Sequence, residues 1–202
     1  MGRKSQRLES TCVFCGSSDD ADPAFLSAAA ALGRQLADAR IRLIYGGGGV
    51  GLMGAVARGA HEAHGEVLGI IPTFLVAQER ALEVVEHIIV DNMHERKMLM
   101  FQKSDSFVIL PGGIGTLEEV VELLSWRRLN LHAKPVVFYN PRGFWDPLFK
   151  LFQHTVDERL TPAGFMQAWV SVETVDEIVP ALLGQGLEPY PSEAAVGQRD
   201  RE

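Results

Sequence analysis

The residues with the most chemical content run Pro111-Gly-Gly-Ile-Gly-Thr-Leu-Glu-Glu119. Glycines followed by a threonine and two carboxylates suit an anion held beside an acid/base group. Before them, Phe107-Val-Ile-Leu110 reads as a short buried strand; after them, Leu117, Val120, Val121 and Leu124 recur at helical spacing. A strand that passes through a glycine turn into a helix presents free backbone N–H groups and a positive dipole end to an anion, usually phosphate. Glycine also lets a ligand approach the backbone with no Cβ in the way. A carboxylate one turn into such a helix is placed to act on the sugar of a bound nucleotide, and Glu122 shares the face of Glu119. The competing reading is a capping box, with Thr116 as N-cap and Glu119 at N3, and spacing alone favours it.

Met93-His-Glu-Arg-Lys97 forms a second group. On a helical wheel Arg96 falls between Leu99 and Met100, and Lys97 between Met93 and Phe101, so both cations occupy a largely apolar side. A charge there is costly unless it is paired or faces a polar cleft. One such residue would be read as snorkelling along its aliphatic stem; two adjacent ones favour a functional reading. A third group, Tyr45-Gly-Gly-Gly-Gly-Val-Gly-Leu-Met-Gly54, has glycine spacings compatible with a dinucleotide fingerprint. It lacks a convincing acid at the end of the next strand and is no Walker loop. Ligand approach and helix packing, the latter also suited by Gly54 and Gly59 against the sheet, both remain open. The fourth, Cys15-Gly-Ser-Ser18, offers small hydroxyls that contact a nucleotide or merely cap a turn.

The elements that must position these groups alternate. Strands are expected over 11–14, 42–45, 66–71, 84–90, 107–110, 134–139 and 169–172. Helices are expected over 24–39, from 51 to about 64, over 93–104 with Asn92 and Glu95 as a capping box, from 116, over 144–158 and over 174–183. This order implies an α/β fold with a doubly wound, mostly parallel, Rossmann-like sheet in a three-layer α/β/α arrangement. Ligands of such sheets bind at the carboxyl ends of the strands, where the strand order reverses. A single domain over 10–183 is expected, with disordered tails over 1–9 and 184–202.

Composition narrows the function. The formal charge of −7 argues against a nucleic-acid backbone as partner. No apolar run reaches membrane-spanning length and no signal peptide is evident, so a cytoplasmic location is the default expectation. Cys12-Val-Phe-Cys15 lies along a strand, where residues three apart point to opposite faces, so two buried free thiols are expected rather than a redox pair. His61-Glu-Ala-His64 lacks zinc-peptidase spacing, and His87, His94, His132 and His154 are scattered, so no metal site is assigned. Trp126, Leu129 and Leu131 with Leu123 would extend an apolar helix face as core or dimer interface.

Together the motifs resemble the LOG (Lonely Guy) family of cytokinin riboside 5′-monophosphate phosphoribohydrolases. Leu110 to Glu119 matches the family's Pro-Gly-Gly-x-Gly-Thr-x-x-Glu, Tyr45 to Gly54 its glycine-rich motif, and Met93 to Lys97 its Met-His-x-Arg-Lys. Some relatives carry the label lysine decarboxylase; nothing in the residues supports pyridoxal phosphate chemistry, and that label is set aside. The resemblance implies hydrolysis of the N-glycosidic bond of a purine nucleoside 5′-monophosphate, such as AMP or isopentenyl-AMP, to free base and ribose 5-phosphate. It implies Arg96 and Glu119 as the catalytic pair and Gly112, Gly113, Gly115 and Thr116 as the phosphate site. Arg96 is then expected to hold Glu119 ionised. Ser17, Gly47, Met93, Lys97 and Glu118 are further candidates for the nucleotide pocket. The scheme needs no metal or other cofactor, and the family suggests a homodimer. The rival reading is a non-catalytic nucleotide- or molybdenum-cofactor-binding carrier or sensor of the same fold; a dinucleotide-dependent oxidoreductase suffers from the missing ribose-binding acid.

Overall fold

The computed structural model describes residues 8–184. Seven strands form one sheet: β1 (Ser10–Phe14), β2 (Arg42–Tyr45), β3 (Val67–Pro72), β4 (Glu86–Val90), β5 (Ser106–Ile109), β6 (Val136–Tyr139) and β7 (Val170–Val172). Their spatial order is β4-β3-β2-β1-β5-β6-β7, and every adjacent pair is parallel. The chain winds outward from β1 to β4, then returns to lay β5 on the other side of β1. The order therefore reverses between β1 and β5, and the loops after these strands flank the crevice where such sheets bind ligands.

The helices are α1 (Pro23–Asp38), α2 (Gly51–Glu62), α3 (Met93–Gln102), α4 (Ile114–Arg128), α5 (Asp146–Asp157) and α6 (Ile178–Gly184). Val13, Leu32, Leu36, Leu52, Val56 and Leu182 belong to one buried cluster, which places α1, α2 and α6 on one face. Cys12, Phe14, Met100, Val120, Leu124 and Phe138 belong to another, with Phe149 and Phe152 packed on it, so α3, α4 and α5 cover the opposite face. Both faces of the sheet are covered over its central strands, which is why those read as unbroken apolar runs, whereas the edge strands β4 and β7 are partly exposed. Cys12 and Cys15 are free, buried and assigned to opposite clusters, and burial pushes both thiols up.

Local chemistry sets the element ends. Asp22 caps α1 by accepting from Ala24 N–H, with Pro23 at the first helical position. Asn92 caps α3 through Glu95 N–H, but the Glu95 carboxylate reaches back to Asp91 N–H rather than completing the box at Asn92. Thr174 and Glu177 form a reciprocal box before a 3₁₀ turn that leads into α6. Gly59 packs α2 on α1, not on the sheet: a Cβ there would lie 2.2 Å from the Ala30 carbonyl oxygen. Leu123 is buried and Trp126 stacks edge-on against Phe101, whereas Leu129 and Leu131 are exposed, so the expected continuous apolar face is split. The tails expected over 1–9 and 184–202 fall outside the described residues except at their inner ends, where Leu8 packs on the core and Gly184 closes α6.

Candidate active site

The largest correction to the sequence reading concerns α4. Its N-cap is Gly113, and Thr116 lies inside the first turn, so the Thr116–Glu119 capping box does not form. Thr116 is buried, and its hydroxyl sits where a Cβ on Gly112 would be, 2.2 Å from that position. Gly112 is thus glycine to make room for Thr116. Gly113 and Gly115 differ, because a Cβ on either would meet no atom within 4 Å. Packing does not ask for glycine at these two positions, whereas a ligand approaching the backbone would. Leu117 N–H makes the first intrahelical bond, to Gly113, which leaves the N–H groups of the preceding turn to face an incoming anion.

The other glycine loop is filled by the protein itself. At the start of α2, Gly51 N–H donates to Asp19 Oδ1, Leu52 and Met53 N–H donate to the Gly16 carbonyl, and Gly54 N–H donates to the Val50 carbonyl. No donor of that first turn is left for a phosphate. Its glycines are required by crowding: a Cβ would lie 2.1 Å from Arg96 Nη2 at Gly46, 2.8 Å from the Ile71 Cβ at Gly47 and 2.2 Å from the Gly49 oxygen at Gly54. Gly47 also has φ +84°, and its carbonyl meets His87 Nε2 at 3.1 Å. The two loops that look alike in sequence therefore differ in kind. The α2 loop is a scaffold, and the α4 loop is open.

Gly16 N–H donates to the Pro111 carbonyl at 3.0 Å and ties the loop after β1 to the loop after β5 at the reversal point. Ser17 is exposed beside this tie, next to Gly51. Arg96 comes from α3 beneath the glycine loop and is 5% exposed. Its Nε donates to the Ile70 carbonyl at 3.1 Å, its Nη2 to the Gly46 carbonyl at 2.8 Å, and its Nη1 contacts Met93 Sδ at 3.7 Å. A guanidinium fixed on three sides offers a rigid positive charge.

The counter-charge in contact with Arg96 is Glu79, 3.6 Å from Nη2. Glu79 lies in the connection between β3 and β4, and its Oε2 is buried without a hydrogen-bond partner. Burial raises its pKa against the lowering effect of Arg96. No sequence signal singled out Glu79. The one available hint was that Arg96, on the apolar side of its helix, needed a carboxylate partner.

Glu119 is half-buried on α4, and its pKa is raised to about 7. Desolvation is the main cause; Arg96 pulls the other way, while Glu118 and Glu79 push it up. Arg96 thus acts on Glu119 through space but does not hold it firmly ionised, contrary to the expectation, because burial outweighs it. Lys97 turns toward α4, where Nζ meets Glu118 Oε1 at 2.5 Å and Glu122 Oε2 at 2.8 Å. Burial works against its charge, but these carboxylates outweigh burial and raise its pKa. Glu118 is exposed and engaged by that pair. Lys97, Glu119 and Glu122 border a small pocket of about 10 Å³, lined also by Phe14, Phe107 and Trp126. The arrangement brings together an open helix N-terminus, a carboxylate poised near neutrality and a fixed guanidinium–carboxylate pair.

An all-parallel Rossmann-like sheet with an open helix N-terminus at its reversal point places this chain among the doubly wound α/β proteins, whose ligands bind at the strand ends. The family model described as "Possible lysine decarboxylase" matches residues 53–182. The chain is 41% identical over 182 residues to the probable cytokinin riboside 5′-monophosphate phosphoribohydrolase LOGL9 of Oryza sativa subsp. japonica, covering 90% of this chain and 80% of that protein. It is 41% identical over 185 residues to the cytokinin riboside 5′-monophosphate phosphoribohydrolase LOG5 of Arabidopsis thaliana, covering 91% and 79%. Among solved structures, the molybdenum cofactor carrier protein of Chlamydomonas reinhardtii superposes with a TM-score of 0.66 at 23% identity, over 89% of this chain and all of that one, a likeness of fold alone. The chain belongs to the LOG family.

Proposed function

We propose that this protein hydrolyses the N-glycosidic bond of adenosine 5′-monophosphates, plain or N6-modified, to the free base and ribose 5-phosphate. The observation that carries this reading is the pairing of an open helix N-terminus at Gly113–Gly115–Thr116 with Glu119 one turn further along the same helix. Phosphate held at the first turn anchors the sugar and supplies binding energy remote from the reacting carbon. Cleavage moves the C1′–N9 electron pair onto the purine and leaves oxocarbenium character on the sugar, which an ionised Glu119 stabilises. Water then adds its oxygen to C1′ while Glu119 takes up a water proton, which is passed on to the departing base. Arg96 lowers the pKa of Glu119 toward the working range, and this reading assigns the ribose hydroxyls to the Arg96–Glu79 pair.

The exposed Ile114, Val121 and Leu129 along α4 fit a second copy of the chain as the partner that covers this helix, a homodimer that sedimentation at micromolar concentration would detect. The functional test compares AMP with adenosine. The reading expects AMP to release ribose 5-phosphate, adenosine to react about a hundredfold or more slowly for want of the phosphate anchor, and Glu119→Ala to lose about 10²- to 10⁴-fold in kcat. Equal rates with both substrates, or full activity in Glu119→Ala, would refute it.

A further inference from the structure

Asp19 and Arg80 take no part in the chemistry above, yet they join three loops of the site. Residues 73–85 cross from β3 to β4 with one short 3₁₀ turn (Thr73–Leu75) and no α-helix, and leave Phe74 and Val84 exposed at 55% and 58%. What docks this segment onto the glycine loop is sparse. Gly49 N–H donates to the Glu79 carbonyl at 2.8 Å, and Leu82 N–H to the Gly47 carbonyl at 3.4 Å. Among the described residues, the one ion pair that ties it to the loop after β1 runs from Arg80 Nη2 to Asp19 Oδ2. The other oxygen of Asp19 accepts Gly51 N–H at 3.1 Å, so one carboxylate links the loop after β1, the start of α2 and the segment 73–85.

We propose that the Asp19–Arg80 ion pair is a latch that positions Glu79 against Arg96. Arg80 directly follows Glu79, its backbone is left-handed at φ +46°, and its carbonyl oxygen lies 2.2 Å from where a Cβ on Gly49 would sit. Anchoring the Arg80 side chain therefore sets the direction in which the adjacent Glu79 leaves the chain, and Glu79 is the residue that reaches the buried guanidinium. The pair is well exposed, 60% for Asp19 and 66% for Arg80, so it contributes little to global stability. Its effect falls on the middle of the segment, since Leu82 and Val85 pack its far end against the core. The proposal rests on the hydrolase reading for its kinetic consequences only.

The test uses Asp19→Asn, which keeps an oxygen for Gly51 N–H and removes the charge, with Arg80→Gln, the double variant and the charge reversal Asp19→Arg/Arg80→Asp. Amide hydrogen exchange of the unliganded protein reads residues 75–82, and AMP hydrolysis is measured from low to high salt. Each single variant is expected to speed exchange there and to lower kcat/KM by about two- to fivefold, the range an exposed ion pair supports. The double variant should be no worse than either single one, and the reversal should recover part of the loss. Salt should depress the wild type more than the double variant, the part common to both being screening of the substrate's own phosphate. Unchanged exchange in both single variants, or losses that add in the double, would overturn the latch. Absence of AMP hydrolysis in the wild type would refute the hydrolase reading instead, and exchange alone would then decide the latch.

Discussion

Glu119→Gln should make the protein more stable above neutrality while removing its activity. The carboxyl is raised from an ordinary 4.5 to about 7, chiefly because burial disfavours its charged form. The sign follows from proton counting: between these two values the folded state holds a proton that the unfolded state has released. Stability therefore falls as pH rises from about 4.5 to about 7, and the penalty is complete above that. At about 1.4 kcal/mol for each tenfold change in proton affinity, the rise corresponds to about 3 kcal/mol. Glutamine keeps the size and drops the charge, so it escapes the penalty. Urea titrations at pH 4 and pH 8 measure the effect. The variant should match the wild type at pH 4 and exceed it by up to about 3 kcal/mol at pH 8. A variant no more stable than the wild type at pH 8 would refute the claim that Glu119 is held near neutrality by burial.

If ionised Glu119 is the working form, log kcat/KM for AMP should rise with pH through about 7 in the free enzyme and then level; a profile flat from pH 5 to 9 would contradict it. Gly115→Ala should slightly raise the melting temperature, since alanine favours a helix by about 1 kcal/mol over glycine and meets open space there. Its KM for AMP should rise about tenfold or more as the methyl enters the phosphate cradle. Arg96→Ala should cost about 3–5 kcal/mol in a denaturant titration, because it strands the Ile70 and Gly46 carbonyls and leaves the half-buried Glu79 unpaired. Arg96→Lys should recover little, because an ammonium cannot reproduce the fork that spans both carbonyls.

The architecture was legible because alternating apolar runs and helical spacings leave few ways to wind a parallel sheet, and the reversal between β1 and β5 brought the expected loops together. The start of α4 was misread for a physical reason. A glycine N-cap carries no side-chain signal, so Thr116 looked like the cap when it lies inside the helix. The two glycine motifs could not be told apart by spacing, because what separates them is whether Asp19 and the Gly16 carbonyl already fill the helix start. Arg96 was recognised from its place on an apolar helix face, but two of its partners are main-chain carbonyls, which look alike at every position in a sequence. Glu79 escaped notice because an irregular crossing has no periodicity to mark which of its residues turns inward.

The most direct test is chromatography of AMP and isopentenyl-AMP after incubation with the purified protein, with Glu119→Gln run alongside. The account predicts free adenine or isopentenyladenine in equal amount to ribose 5-phosphate, and neither product from the variant. Intact nucleotide after prolonged incubation, with tight binding still measured by calorimetry, would contradict it and leave the fold serving as a carrier.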